Sequence, residues 1–184
     1  CWWGFKTLPE TNELSEGFLN FICGPGGVLE YWQQKGAGGW RFDVADELPD
    51  EFIEAARRRI KAVDPGALFI GEVWENVTKE SMGHRRSYLL GSQFDSVMNY
   101  PWRSAIIELV KDKDIDKFYS AVDEIVYSYP APALNSLMTP LSTHDTVRII
   151  NALAFDNIPP RQKQPYIELT PEQYNLGKTL LYQC

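Results

Sequence analysis

Asp43, Glu72 and Asp145 each stand at or just past the C-terminal end of a run of residues that reads as a β-strand. Carboxylates so placed can split a glycosidic bond with retention of configuration. One ionised carboxylate attacks the anomeric carbon while a protonated acid, about 5 to 5.5 Å away, donates to the leaving oxygen. Neighbouring strand ends lie about 4.8 Å apart and supply that spacing without special loops. Arg41, two residues before Asp43, projects to the same side and is placed to hold the aspartate ionised, as a nucleophile requires. Glu72 follows an apolar strand and precedes Val73-Trp74, so burial there favours the protonated form that a general acid needs. His144-Asp145 adds a neutral donor and a further carboxylate. Two carboxylates already perform the displacement, which leaves Asp145 to grip sugar hydroxyls and to stabilise an oxocarbenium-like transition state. Trp74, Trp40, Tyr100 and Trp102 are candidates for stacking on sugar rings.

Each feature also has a plainer reading. A lone Asp at a strand end is more often a turn or cap residue. Arg41-x-Asp43 alone is compatible with a structural ion pair, and aromatic residues in such folds are more often core. His84, among Arg85, Arg86 and Ser87, reads as exposed, and the run Lys111-Asp112-Lys113-Asp114 as a solvated face. On the residues alone, other barrel enzymes together outweigh a glycosidase.

The elements that must position these groups alternate. The chain is loop-like and aromatic to about Leu14. A helix is expected over 28–34, with Val28, Leu29 and Trp32 on one side, ended by Gly36 and Gly38-Gly39. A strand over 40–44 follows. Pro49-Asp50-Glu51 opens a helix with Phe52, Ala56, Ile60 and Val63 on one face, acidic at its start and basic near its end, as the helix dipole favours. Asp64-Pro65-Gly66 stops it. Residues 67–70 read as a strand buried on both faces, and a polar stretch leads to a third strand over 94–100. Helical segments over 102–110 and 115–126 end at Tyr129-Pro130-Ala131-Pro132. A fourth strand over 137–141, a short helix over 147–153, a polar loop to Leu169 and a helix capped by Thr170 and Gln173 complete the chain.

This order implies parallel strands joined by right-handed crossovers. A (β/α)8 TIM barrel and an open doubly wound sheet both fit. The open sheet is disfavoured, because no glycine-rich phosphate loop joins a strand to a helix and polar groups end several successive strands, which is the barrel's arrangement. A complete barrel takes roughly 250 residues, so an α/β fold holding about half a barrel is expected.

The bulk numbers bound the partner. The 184 residues are 44% hydrophobic and 13% aromatic, ample for a buried core. A net charge of −7 argues against nucleic acid, which demands a concentrated basic surface. No apolar run approaches the roughly 20 residues of a membrane-spanning helix. The three cysteines, Cys1, Cys23 and Cys184, form no C-x-x-C pair, and with only two histidines they offer no zinc site. Their odd number leans toward a reducing compartment, hence a cytoplasmic rather than a secreted protein. The opening Cys1-Trp2-Trp3-Gly4 carries neither initiator Met nor signal pattern, and the chain stops inside its last helix. It therefore reads as a piece whose native N-terminus is missing.

Three segments sharpen the reading: Gly39-Trp40-Arg41-Phe42-Asp43-Val44-Ala45-Asp46-Glu47, Phe69-Ile70-Gly71-Glu72-Val73-Trp74-Glu75 and Ser142-Thr143-His144-Asp145-Thr146-Val147-Arg148. In this order they resemble signature segments of the α-amylase family, glycoside hydrolase family 13. Gln93-Phe94-Asp95-Ser96-Val97-Met98-Asn99-Tyr100-Pro101 and the opening Trp2-Trp3-Gly4-Phe5 with Leu8-Pro9 resemble the neopullulanase, cyclomaltodextrinase and maltogenic amylase branch. The resemblance covers nearly all of residues 1–184. It implies a catalytic-domain fragment of about strands 4 to 7, with the upstream strands, the eighth strand and the C-terminal β domain missing, and inactive when isolated. It further implies Asp43 as nucleophile, Glu72 as acid/base, Asp145 as transition-state stabiliser, and Arg41 and His144 as supports. The implied substrates are α-1,4, and by extension α-1,6, glucosidic bonds in starch-derived oligosaccharides, cyclomaltodextrins or pullulan. A transglycosylase of the same family is the nearest alternative, and a catalytically inactive binding or transporter-associated relative the more distant one. No cofactor is expected and no metal ligands are assigned, although calcium occurs in parts of the family; a homodimer stays open for the full-length protein. Asp46 stands where many members of this branch carry Asn.

Overall fold

A computed structural model of the chain describes residues 1–79, 86–155 and 168–182. His84, Cys184 and most of the loop expected before Leu169 lie outside the described residues. The chain divides into two compact units, Cys1–Val73 with Val77–Val97, and Trp74–Asn76 with Met98–Cys184.

In the first unit a single 3-10 turn, Trp2–Gly4, precedes α1 (Glu16–Cys23), α2 (Val28–Gln34), β1 (Gly39–Phe42), a second 3-10 turn (Ala45–Glu47), α3 (Asp50–Val63), β2 (Leu68–Gly71) and β3 (Ser96–Val97). The strands form one sheet in the order β1-β2-β3, and both pairings are parallel. Parallel neighbours need a long crossover, and α3 supplies the one between β1 and β2. Its buried face is Phe52, Ile53, Ala56 and Ile60, the i, i+4 spacing of an amphipathic helix with Ile53 added. Phe69 and Phe94 are buried at the centre of the core, with the half-buried Phe42 packed against them. The Phe42 and Phe69 rings meet edge-on at 4.7 Å, and Phe69 and Phe94 lie 4.6 Å apart. Full burial of the Phe69 and Phe94 rings stabilises the fold by about 1.5–3 kcal/mol each.

Several expectations change here. The segment before α2, unassigned from sequence, contains α1, which ends where Gly24 packs so tightly that a Cβ would stand 2.4 Å from the Asn20 carbonyl oxygen. On α2 the inward residues are Leu29 and Gln33, whereas Trp32 is exposed; Gln33 Nε2 satisfies itself on the Ile60 carbonyl at 3.1 Å. β2 is not buried on both faces, since Leu68 is exposed while Phe69 is sealed. β3 is only two residues long. Asn99 ends the extended run by capping the next helix through Trp102 N.

That helix, α4 (Tyr100–Asp112), opens the helical part of the second unit, followed by α5 (Ile115–Ser128), α6 (Ala131–Leu134), α7 (Ile149–Ala154) and α8 (Pro171–Leu181). The strand expected over 137–141 does not form. A lone parallel bridge joins Met98 and Met138, with Asn99 N donating to the Met138 carbonyl at 2.7 Å. Pro140 lacks the N–H a ladder would need next. The Lys111–Asp114 run is more than a solvated face. Lys111 Nζ donates to the Ala152 carbonyl at 3.1 Å and to that of Phe155, tying α4 to the end of α7, while Asp114 caps α5 through Lys117 N. The Thr170–Gln173 capping box of α8 is present, and α8 approaches α7 at Gly177, where an added Cβ would lie 2.5 Å from the Ile150 carbonyl oxygen.

Candidate active site

The sheet register carries Asp43 to the side of Glu72. Phe42 pairs with Gly71, and the following residues remain tied, Glu72 N donating to the Phe42 carbonyl at 2.9 Å and Ala45 N to the Glu72 carbonyl at 3.0 Å. Between them Val44 sits in the left-handed region at φ 42°. A β-branched residue there is strained, and the tight turn aims the Val44 N–H at Glu72 Oε2, 2.8 Å away. Gly71 lets this end of β2 lie against the Phe94 ring, where a Cβ would come within 2.9 Å.

One guanidinium holds both acids. Arg41 Nη1 pairs with Asp43 Oδ1 and Nη2 with Glu72 Oε1 at 3.0 Å. The two terminal nitrogens of one guanidinium thus meet one carboxylate each. Their surroundings differ. The Glu72 side chain is 4% exposed and that of Asp43 72%. The open carboxylate borders a cavity of about 490 Å³ whose walls include Trp2, Leu8, Thr11, Val44 and Glu47. An exposed carboxylate at a cavity and a buried one behind it are what a nucleophile and a proton donor or acceptor need.

The turn after Asp43 is pinned on each of its residues. Tyr88 Oη donates to the Ala45 carbonyl at 3.3 Å, Arg86 Nη2 pairs with Asp46 at 3.5 Å, and Glu47 accepts from the indole N–H groups of Trp2 and Trp3. Burial, with Asp46 adding to it, pushes the Tyr88 phenol up to about 12, so it donates throughout the physiological range. Asp46 is thus paired with a cation.

The remaining candidates lie in the second unit. Trp74 and Tyr100 stack face to face, 4.1 Å apart and 3° from parallel. Tyr100 is buried and Trp74 half-exposed, so the indole keeps an open face. Tyr100 Oη lies 3.3 Å from Thr143 Oγ1, which also accepts from Asp145 N, while Thr143 N donates to Thr146 Oγ1 at 2.9 Å. His144 Nε2 stands 2.9 Å from Asp145 Oδ2. The histidine is exposed and the aspartate largely covered.

Arg103, Thr143, Glu47 and the Trp2–Trp3 pair were not singled out as site residues from sequence. Arg103 anchors the His144-Asp145 segment by donating Nε to the Leu141 carbonyl at 2.9 Å and Nη2 to that of Val147 at 3.2 Å; burial lowers its pKa. A basic residue in the first turn of a helix, where the dipole disfavours it, is the signal that could have marked Arg103. Trp40 and Trp102 are only partly buried; Trp102 packs on Phe118 at 5.8 Å within the helical unit. Among the described residues no group of three or more His, Cys, Asp or Glu is placed to hold a metal ion.

Comparison with known proteins gives a match between residues 25–183 and the family model described as alpha amylase, catalytic domain. The chain is 36% identical over 127 residues to a cyclomaltodextrinase of Bacillus sp, covering 67% of this chain and 21% of that protein. It is 34% identical over 127 residues to neopullulanase 2 of Thermoactinomyces vulgaris, covering 68% and 20%. A solved structure titled cyclomaltodextrinase superposes with a TM-score of 0.60 at 34% identity, over 67% of this chain and 20% of that one. The chain thus spans about a fifth of the length of these relatives.

Proposed function

The chain belongs to the α-amylase family, matching its catalytic-domain model over most of its length, and on that premise we propose that it carries the bond-cleaving groups of a retaining α-glucan hydrolase. The observation that carries the reading is the single Arg41 guanidinium shared by an exposed Asp43 and a buried Glu72 at neighbouring strand ends. In the first step an Asp43 oxygen attacks the anomeric carbon, Glu72 gives its proton to the glycosidic oxygen, and that bond breaks to leave a glycosyl ester on Asp43. In the second, Glu72 takes a proton from water, whose oxygen attacks the same carbon and frees the sugar and the carboxylate. Arg41, paired with both acids, positions Asp43 and Glu72 beside each other. Asp145, with His144 beside it, is read from its segment's resemblance as the group that steadies positive charge on the ring. The open face of Trp74, backed by Tyr100, suits stacking on a sugar.

We read the chain as part of a (β/α)8 barrel, the parallel sheet with α3 as crossover being its visible piece. The substrates proposed are α-1,4 and α-1,6 bonds of cyclomaltodextrins, pullulan and starch oligosaccharides, in line with the names of the relatives. The test is reducing-sugar release by the whole protein from cyclomaltodextrin, pullulan and soluble starch, with Glu72→Gln as matched control. The control should lose roughly 10²–10⁴-fold in rate. A folded parent inactive on all of them, or a product mixture dominated by longer oligosaccharides, counts against hydrolysis.

A further inference from the structure

Trp2 and Trp3 stack at 4.5 Å and 13° from parallel, and their indole N–H groups each donate to a different oxygen of Glu47, both at 2.5 Å. A bidentate carboxylate thus fixes two large rings through their only polar atoms, and what each has left to offer is flat apolar surface. The loop carrying them is closed by its own backbone. Trp2 N donates to the Leu8 carbonyl at 2.9 Å, Phe5 N to Trp2 at 3.0 Å, and Leu8 N to Phe5 at 2.9 Å. Trp3 is held at φ 49°, a left-handed conformation that is an outlier for a bulky side chain and that the surroundings must impose. Despite this bracing Trp3 is 67% exposed, so the strain does not serve to bury it. Trp2 lines the cavity that Asp43 borders, together with Thr11 and Glu47.

From these features we infer that the Trp2–Trp3 pair is a sugar-binding platform, with Trp3 taking the apolar face of a pyranose ring of the α-glucan outside the bond attacked at Asp43. Glu47 is its positioning residue. The inference deepens the function proposed above and rests on it. A pyranose fits because its C–H face matches a rigid indole, and its hydroxyls meet hydroxyl and carboxylate acceptors on the cavity wall, the mixture of apolar lining and few polar groups that small-molecule sites use. A ring held in advance also loses little freedom on binding.

The test compares kcat/KM of the whole protein on maltohexaose and maltotriose for the parent, Trp3→Ala and Trp3→Phe. The ratio of the longer to the shorter substrate should fall roughly fivefold in Trp3→Ala and be partly restored in Trp3→Phe, with maltohexaose affinity in a Glu72→Gln background falling in step. An unchanged ratio and affinity, with the parent still hydrolysing α-glucans, removes the platform and leaves the proposed function standing. A lowered melting temperature with no change in the ratio makes Trp3 a packing residue and also overturns the inference. A parent that neither hydrolyses nor binds any α-glucan takes down both.

Discussion

Arg41 serves two acids with one side chain, which sets what its replacement does. Glu72 is buried, and besides Arg41 its side chain takes the Val44 N–H. Arg41→Leu removes the guanidinium that meets both carboxyl groups, which should cost on the order of 1–3 kcal/mol, and frees the exposed Asp43 from its partner. Chemical denaturation of the parent and the variant reads the stability change; an unaltered midpoint would show that Glu72 does not depend on the guanidinium. Arg41→Lys should not rescue it, because an ammonium is a point charge and cannot span two carboxylates as the planar fork does. At this scale much was legible in the sequence. The two-residue spacing of Arg41 and Asp43 fixed their shared side, and the strand ends fixed the neighbourhood of Glu72. The left-handed turn at Val44 was not legible, since nothing in a valine announces a positive φ. The Glu47 clamp escaped for another reason, because its partners lie more than forty positions away.

Among the elements, α3 is locked to the sheet by charge as well as by its apolar face. Asp95 takes Arg57 Nη1 at 2.8 Å, Lys61 Nζ at 2.7 Å and Phe69 N at 3.0 Å. Burial alone would raise the carboxyl's pKa, but the hydrogen bonds from Lys61, Arg57 and Phe69 and the Arg57 charge hold it below the ordinary value. A carboxylate whose pKa is lower folded than unfolded contributes stability above the unfolded value of about 3.9, and that contribution drains away as pH falls through the folded value. Asp95→Asn should therefore cost on the order of 1–3 kcal/mol at neutral pH, and its melting temperature should converge on the parent's as the medium is acidified. Thermal melts between neutral pH and pH 3 would decide it, and a gap that stayed constant or widened in acid would contradict the assignment. Element types were legible wherever a helical stripe was long, as in α3, α4 and α5. The fourth strand failed because its apolar run contains Pro140, and the third shrank because Asn99 serves the helix after it. Short apolar runs do not separate strand from cap by pattern alone.

For the molecule as a whole, acidity, aromatic content and alternation of strand and helix pointed to an α/β enzyme with a neutral partner, and the family match now fixes the lineage. The motif segments carried that information better than the periodicity, since they place chemistry at strand ends where the fold must present it. The cavity beside Asp43, with Trp2 on its wall, is built by residues that the short motifs do not encode. The central claim, a covalent step on Asp43 assisted by Glu72, has one direct test. The whole protein carrying Glu72→Gln is incubated with α-glucosyl fluoride, whose leaving group needs no acid, then digested and examined by mass spectrometry. The account predicts a hexosyl ester on the peptide containing Asp43, absent when Asp43→Asn is added. A fully active enzyme with the ester on another carboxylate, or product released with inverted configuration and no ester at all, would contradict it.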